Sequence, residues 1–413
     1  MNVLITLLHY APDLGPAAPL HTMLCEGLVK RGHKVTVIAG VPHYPSGRVQ
    51  AAFRGKRIRY SVENGVEVIR LPLPSLDRAR LSKRLLQFLC YQVGATWVGL
   101  GRREFDVVLV HNPGLLAWLP FATLVTFRRK PAVYSVYDVY PDVGITLGIF
   151  RHRAIKAAVA SLERFCLKHA VTVQIISDSF RPGLRALGVR DSKMALVYPW
   201  VDTELIRPMP HDNPFTQEHN LGGKFVVLYA GNLGLSQGLE HVLTAAGQLA
   251  HYPDFHFLFV GDGAGRQGLM AEVERRGLKN VQFLPFQPHD RLPEVLASAD
   301  VSLAILRRGI GTSSLPSKIF SAMASGRPLI ISLDEGSETW NLVMKAEAGL
   351  CVPPENPSEL AKAIVLLKED RDLRERLGQN GRIWAEQHHS ALSAAEQFEK
   401  LLSGAILAKK QCS

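Results

Sequence analysis

The chain has 413 residues, 47% of them hydrophobic and 21% charged. That is globular composition at a length for two domains, and it excludes a disordered chain. The cysteines are five, Cys25, Cys90, Cys166, Cys351 and Cys412, an odd number with no CxxC pair, so neither a disulfide framework nor a zinc site is expected. The net charge of +11 is uneven. Residues 1–205 carry 27 of the 48 Lys and Arg but 14 of the 37 Asp and Glu, so the whole excess lies in the first half and points to an anionic partner.

Val3–Leu8 reads as a first strand, with no basic leader before it, so a cytoplasmic protein is expected. Pro19–Arg31 has apolar residues at helical spacing (Leu20, Met23, Leu24, Leu28, Val29). Gly32-His33 ends that helix, and Val35–Ala39 is the next strand. Residues 78–84 form a basic cluster with Arg78, Arg80, Lys83 and Arg84 that runs into apolar Leu85–Leu100. That stretch is shorter than the ~20 residues of a spanning helix. It suits a helix anchored on an anionic membrane surface, or else a core helix with an exposed basic start. Strands continue at Val66–Leu71, Val107–Val110, Ala132–Val136 and Val171–Ile176.

Residues 206–224 are rich in proline and glycine and read as a linker. The pattern then restarts with the strand Phe225–Tyr229, a helix Gly238–Leu249, and strands Phe255–Val260, Val281–Leu284, Val301–Ile305 and Pro328–Ile331. This predicts an α/β protein of two Rossmann-like, doubly wound parallel-sheet domains, 1–206 and 207–391, with a helix at about 392–413 returning to the first. Ligands in such sheets bind beyond the carboxyl ends of the strands, and two units in tandem offer a cleft.

The loops after the strands therefore hold the candidates. Gly15 follows the first strand just before a helix, where backbone N–H groups favour an anion. Gly231, Asn232, Gln237 and Gly238 follow the first strand of the second domain. Gly261 and Gly263 follow the next. The GxGxxG at Gly263, Gly265 and Gly268 lacks the acidic residue expected about 20 positions later and is not a dinucleotide fingerprint. In Ser314–Pro328, Pro316 suits a first helical turn with Ser314 as cap, which puts Lys318 in that turn. A cation there opposes the helix dipole by a few tenths to ~1 kcal/mol, and a bound phosphate would reverse that cost. The one Asp-x-Asp, Asp370-Arg371-Asp372, lies in a charged helical stretch, so no metal is expected. No nucleic-acid module is present.

These residues carry a resemblance. "RGHKVTVIAG" at 31–40, "YDVYPD" at 137–142, "YAGNLG" at 229–234, "GDG" at 261–263 and "LPSKIFSAMASG" at 315–326 resemble retaining glycosyltransferases of the GT-B fold, family 4. The similar subset makes bacterial surface polysaccharides and includes colanic acid and fucosaminyl transferases. The resemblance implies no cofactor but a nucleotide-sugar substrate, UDP- or GDP-linked. It implies a polyprenyl-diphosphate-linked saccharide acceptor at the inner face of the cell membrane. Lys318 and Asp138 would be catalytic, with Asp142 second choice to Asp138. Ser317, Phe286, Gln287 and Glu338 would join the loop residues on the donor, and His111 would be structural or acceptor-facing. The family's Arg and Lys in the glycine loop are here Asn232 and Gln237. Its two glutamates eight apart are Ser313 and Ser321, which leaves Lys318 as the cation of the region. A nucleotide-sugar epimerase of this fold and a non-catalytic donor-binding subunit are the alternatives.

Overall fold

The computed structural model describes the chain apart from Leu14, Pro16, residues 77–80, 141–152, 312–313 and 412–413, and apart from the side chains of Leu81, Arg153 and Ala154. Arg78, Arg80, Asp142 and Ser313 thus lie outside the described residues. The chain divides into two compact units: Met1–Tyr198 with Ala391–Ser413, and Pro199–Ser390.

The first unit holds eight described strands: β1 (Asn2–Leu7), β2 (Lys34–Gly40), β3 (Arg59–Glu63), β4 (Val66–Leu71), β5 (Val107–His111), β6 (Ala132–Val136), β7 (Thr172–Ile175) and β8 (Met194–Leu196), in sheet order β3-β4-β2-β1-β5-β6-β7-β8. All pairs are parallel except β3 with β4, so the sheet is mixed, not parallel throughout. β3 escapes a search for apolar runs because it is a polar edge strand, with Tyr60 and Val62 exposed. β5 and β6 are buried along their whole length, as expected of strands covered on both faces. The terminal helix Ala391–Gln411 lies against the first helix, Ala18–Lys30. A Cβ on Gly27 would stand 2.8 Å from the Ala395 methyl.

The helix Leu81–Gly101 has two apolar faces. Gln87, Tyr91, Ala95 and Val98 are buried toward the sheet, with the Tyr91 hydroxyl donating to the Ile38 carbonyl at 3.0 Å. On the opposite face Leu86, Leu89, Val93 and Trp97 form a stripe at helical spacing and are 48, 54, 54 and 77% exposed. Phe127, on the adjoining turn Ala122–Phe127, is 79% exposed. Among the described residues no helix is long and apolar enough to cross a membrane.

The second unit holds β9 (Phe225–Ala230), β10 (Phe255–Val260), β11 (Val281–Leu284), β12 (Val301–Ile305), β13 (Leu329–Ser332) and β14 (Gly349–Val352), in order β11-β10-β9-β12-β13-β14, all parallel. The stretch expected as an unstructured linker contains a short helix, Pro214–Glu218. Asn213 caps it, its side-chain oxygen accepting from the Phe215 and Thr216 amides at 2.9 and 3.2 Å.

Gly27→Val should press the first helix off the terminal helix. Overpacking of this kind costs about 1–3 kcal/mol, read as a lower urea midpoint, and Ala395→Gly in the same chain should recover part of it. An unchanged midpoint in Gly27→Val would mean that the two helices are not packed as described.

Candidate functional site

In the second unit two glycine loops interlock beyond β9 and β10. Gly231 donates to the Val260 carbonyl (2.9 Å), Leu233 to the Asp262 carbonyl (2.8 Å) and Gly265 to the Leu233 carbonyl (2.8 Å). At Gly261, with φ +149°, a Cβ would lie 1.9 Å from the Gly231 oxygen. At Gly263, with φ +159°, it would lie 2.5 Å from Asn232 Oδ1. No other residue fits either place. The side-chain amides of Asn232 and Gln237 both close on Gly234, within 2.8 Å of where its Cβ would be. Gly238 ends the turn Leu235–Gln237 in the left-handed conformation, φ 63°.

Lys318 comes up against this loop from the other side. Its Nζ is sealed from solvent, has no hydrogen-bond partner among the described residues, and sits 3.4 Å from the centre of the Tyr229 ring. A Cβ on Gly231 would be 3.2 Å from it. Burial pulls the lysine from its ordinary 10.5 down to about 7, because a desolvated ammonium loses hydration that one ring face does not replace. The helix begins at Lys318 itself. Ser317, not Ser314, holds the cap position, and its side chain makes no cap bond. The missing cap leaves the first amides of the helix without a side-chain acceptor.

The family resemblance left Lys318 as the cation here, and the structure adds Arg307. Its Nε donates to the Leu235 carbonyl (2.7 Å), its Nη2 pairs with Glu240 (2.5 Å), and its Cγ would meet a Cβ on Gly238 at 3.1 Å. It lies 70 positions beyond Gln237 in the chain, which hid the partnership. The other donor candidates sit at neighbouring strand ends. Phe286 is 60% exposed after the edge strand β11, and Gln287 donates to the Pro285 carbonyl (3.1 Å). Glu338 opens the helix Glu338–Lys345, which Ser337 caps. Ser321 lies on the Lys318 helix. Asp370 is itself a helix cap, accepting from the Leu373 amide at 2.8 Å.

In the first unit Asp138 follows β6. It is exposed, and the part of it that packs against protein raises its carboxyl above the ordinary value. Asn112, after β5, pins this segment, donating to the Asp138 carbonyl and accepting from the Tyr137 amide at 2.9 Å. Beside it Glu163 is buried, accepting from the Gly114 amide at 2.6 Å and from the Tyr134 hydroxyl at 3.2 Å. Burial lifts Glu163 to about 7 against those hydrogen bonds. His111 is buried against His21, ring centres 4.1 Å apart. Burial drives both imidazoles below their ordinary value, so they are neutral packing groups.

A third cluster carried no signal in the sequence. His9 and Asp13 lie after β1, and His43 after β2. His9 Nδ1 is 2.7 Å from Asp13, and the His9 and His43 rings stack at 4.9 Å. Asp13 also accepts from the Tyr44 amide at 2.9 Å. Burial alone would raise the Asp13 carboxyl, but the His9 hydrogen bond and charge, the Tyr44 amide and the His43 charge outweigh it and hold it low. At Gly15 a Cβ would stand 2.6 Å from the His9 ring. The three side chains offer ligand atoms within 4.8 Å of one another. His9 Nδ1 is held by Asp13, and His43 Nδ1 by the Val41 carbonyl at 2.9 Å.

Residues 212–384 match the family model "glycosyl transferases group 1", and residues 18–200 match "glycosyl transferase 4-like domain". The chain is 27% identical to the putative colanic acid biosynthesis glycosyl transferase WcaI of Escherichia coli, over 91% of this chain and 95% of that one. It is 32% identical to the D-rhamnosyltransferase WbpZ of Pseudomonas aeruginosa, over 67% and 68%. Among solved structures it resembles sucrose-phosphate synthase of Thermosynechococcus elongatus, with TM-score 0.70, 19% identity and 99% and 100% coverage. HepE of Anabaena, solved with UDP, gives TM-score 0.68 and 19% identity over 98% and 100%. These likenesses establish the GT-B fold.

The buried ammonium predicts a slope of stability with pH. Between pH 7 and 10.5 the unfolded chain holds a proton at Lys318 that the folded chain has released. Wild-type stability should therefore rise with pH relative to Lys318→Met, by up to about 1.4 kcal/mol per unit. Paired denaturation curves from pH 7 to 10 measure this, and a difference flat in pH would mean that the amine is not desolvated.

Proposed function

This chain belongs to the glycosyl transferases of group 1 with a 4-like first domain, and on that premise we propose that it moves a sugar from a UDP- or GDP-linked donor to a lipid-linked saccharide, with retention of configuration, in surface polysaccharide biosynthesis. The observation that carries this is Lys318, an ammonium held in protein without an anionic partner, beside loops whose glycines let backbone approach a ligand. A diphosphate would restore what burial took from it. As the bond from sugar to phosphate breaks, charge grows on the diphosphate, and donors already in place lower the barrier. Arg307 holds the adjoining turn. Asp138 would orient the acceptor hydroxyl or stabilise the cationic sugar.

Features of the first unit support this acceptor and location. The exposed stripe Leu86, Leu89, Val93 and Trp97 has the shape of an interfacial helix, and the excess positive charge of residues 1–205 complements an anionic leaflet. A protein seated there on the inner face of the cell membrane meets its acceptor at the surface.

Lys318→Ala should weaken UDP or GDP binding by about 1.5–3 kcal/mol, the value of a hydrogen bond to a charged group, measured by calorimetric titration. Unchanged affinity in a folded mutant would remove Lys318 from the donor site.

Co-sedimentation with liposomes tests the membrane face. Binding should need anionic lipid and fall with salt. Leu89→Ser with Trp97→Ser should lower it at least about tenfold, since each buried side chain is worth about 1.5–3 kcal/mol. Wild-type protein left in the supernatant with anionic vesicles at low salt would favour a soluble acceptor.

A further inference from the structure

Tyr229 touches both parts of the donor candidate in the second unit. It is 1% exposed, its ring centre lies 3.4 Å from Lys318 Nζ, and its hydroxyl donates to the Asn232 carbonyl at 2.8 Å. Burial raises the phenol above its ordinary value, so it stays an O–H donor and sets no negative charge beside the amine. The ring is fixed from below. It belongs to the central strand β9, between β10 and β12, and packs against Phe259 with ring centres 6.1 Å apart. The elements against Nζ bring no countercharge. Neither β9, residues 231–238 nor the helix Lys318–Ala324 contains an acidic residue. On the sister loop Asp262 is exposed, its side chain accepting from the Gly263 amide at 2.8 Å. An aliphatic residue would fill the same place in the strand. It would offer neither a π face to an ammonium nor a hydroxyl to the loop.

We propose that Tyr229 is the positioning residue of the donor site, its ring holding the Lys318 head and its hydroxyl holding the Asn232 loop, so that a diphosphate meets both as one unit. This rests on the donor reading above. The ring favours the charged form of the amine, in the free site and in the complex alike. Without it the free lysine holds its proton less well, and its value falls below about 7. At pH 8 the free lysine is largely neutral with or without the ring, while the complex needs the ammonium. The loss of the ring therefore appears in full as weaker binding there. In more acid solution the free lysine is already charged, and the ring stabilises free and bound protein together, so the loss shrinks. The hydroxyl acts otherwise. It fixes a carbonyl and exchanges no proton with the site, so its loss weakens binding equally at every pH.

Calorimetric titration tests both ends of the residue. UDP and GDP are titrated into the full chain at pH 6.5 and 8, in paired buffers of differing ionisation enthalpy, for wild type, Tyr229→Phe and Tyr229→Leu. Each variant is checked for an unaltered melting profile, and Tyr229→Met takes the place of the leucine variant if that one unfolds. For a free lysine at about 7, the wild type should take up about a quarter of a proton at pH 6.5. Tyr229→Phe keeps the ring and should show the same uptake, with affinity about threefold lower at both pH values for the lost hydrogen bond. Tyr229→Leu loses a cation–π contact worth about one pH unit, so its uptake at pH 6.5 should rise to about three quarters of a proton. Its affinity should fall about tenfold below that of Tyr229→Phe at pH 8 and only about threefold below it at pH 6.5. A packing role alone would lower affinity without moving the proton count. Equal uptake at pH 6.5 in Tyr229→Leu and wild type, or an affinity in Tyr229→Phe as low as in Tyr229→Leu, would overturn the inference while leaving the donor reading in place. A wild type that binds neither UDP nor GDP overturns the donor reading and this one with it.

Discussion

The ammonium of Lys318 lies over the face of Tyr229 with no hydrogen bond to any described residue, and the site in the second unit is arranged around that contact. An aromatic face returns up to about 2 kcal/mol to a desolvated cation, while the effective desolvation of an ion costs several. The group therefore sheds its proton near neutrality. The space that keeps it there depends on neighbours with no side chain. Gly231 meets Nζ, Gly261 meets Gly231, and Gly263 meets Asn232 and Leu233. A Cβ at any of them would push the loop into the lysine or into its sister loop.

Carboxylates in the first unit show how the same chemistry is tuned in opposite directions. Asp13 is buried, yet a neighbouring imidazole and a backbone amide keep it ionised. Glu163 is buried with the Gly114 amide, the Tyr134 phenol and the Asn112 side chain bonded to it, and burial prevails, lifting it to about 7. The difference is the positive charge available to each. An ionised carboxylate can orient a histidine, whereas one that is largely protonated below neutrality ties down the Asn112–Gly114 turn without holding charge there.

Much of the fold was legible because its strands are short apolar runs between turn residues. Val66–Leu71, Ala132–Val136 and Phe255–Val260 have the expected bounds. β3 was not legible because an exposed antiparallel edge needs no apolar run, and β8 was not because three residues carry no period. Lys318 and the glycine loops were visible as local motifs. Their meaning was not, since Tyr229 stands 89 positions before Lys318 and Arg307 stands 70 after Gln237. His9, Asp13 and His43 escaped for the same reason. They meet through the parallel pairing of β1 with β2, which brings together loops separated in sequence by a whole helix. The exposed stripe on Leu81–Gly101 was half visible: the sequence shows an apolar helix, and only packing reveals that, among the described residues, one of its faces is left exposed.

The central claim is that Lys318 waits largely neutral above pH 7 and becomes the cation of a bound diphosphate. Proton uptake measures this directly. UDP and GDP are titrated into the protein at pH 8 by calorimetry in buffers of differing ionisation enthalpy. For a lysine with a free-state value of about 7, whichever nucleotide binds should take up roughly one proton, and the uptake should vanish in Lys318→Met. Binding with no proton uptake in the wild type, or with the same uptake in the mutant, would contradict it.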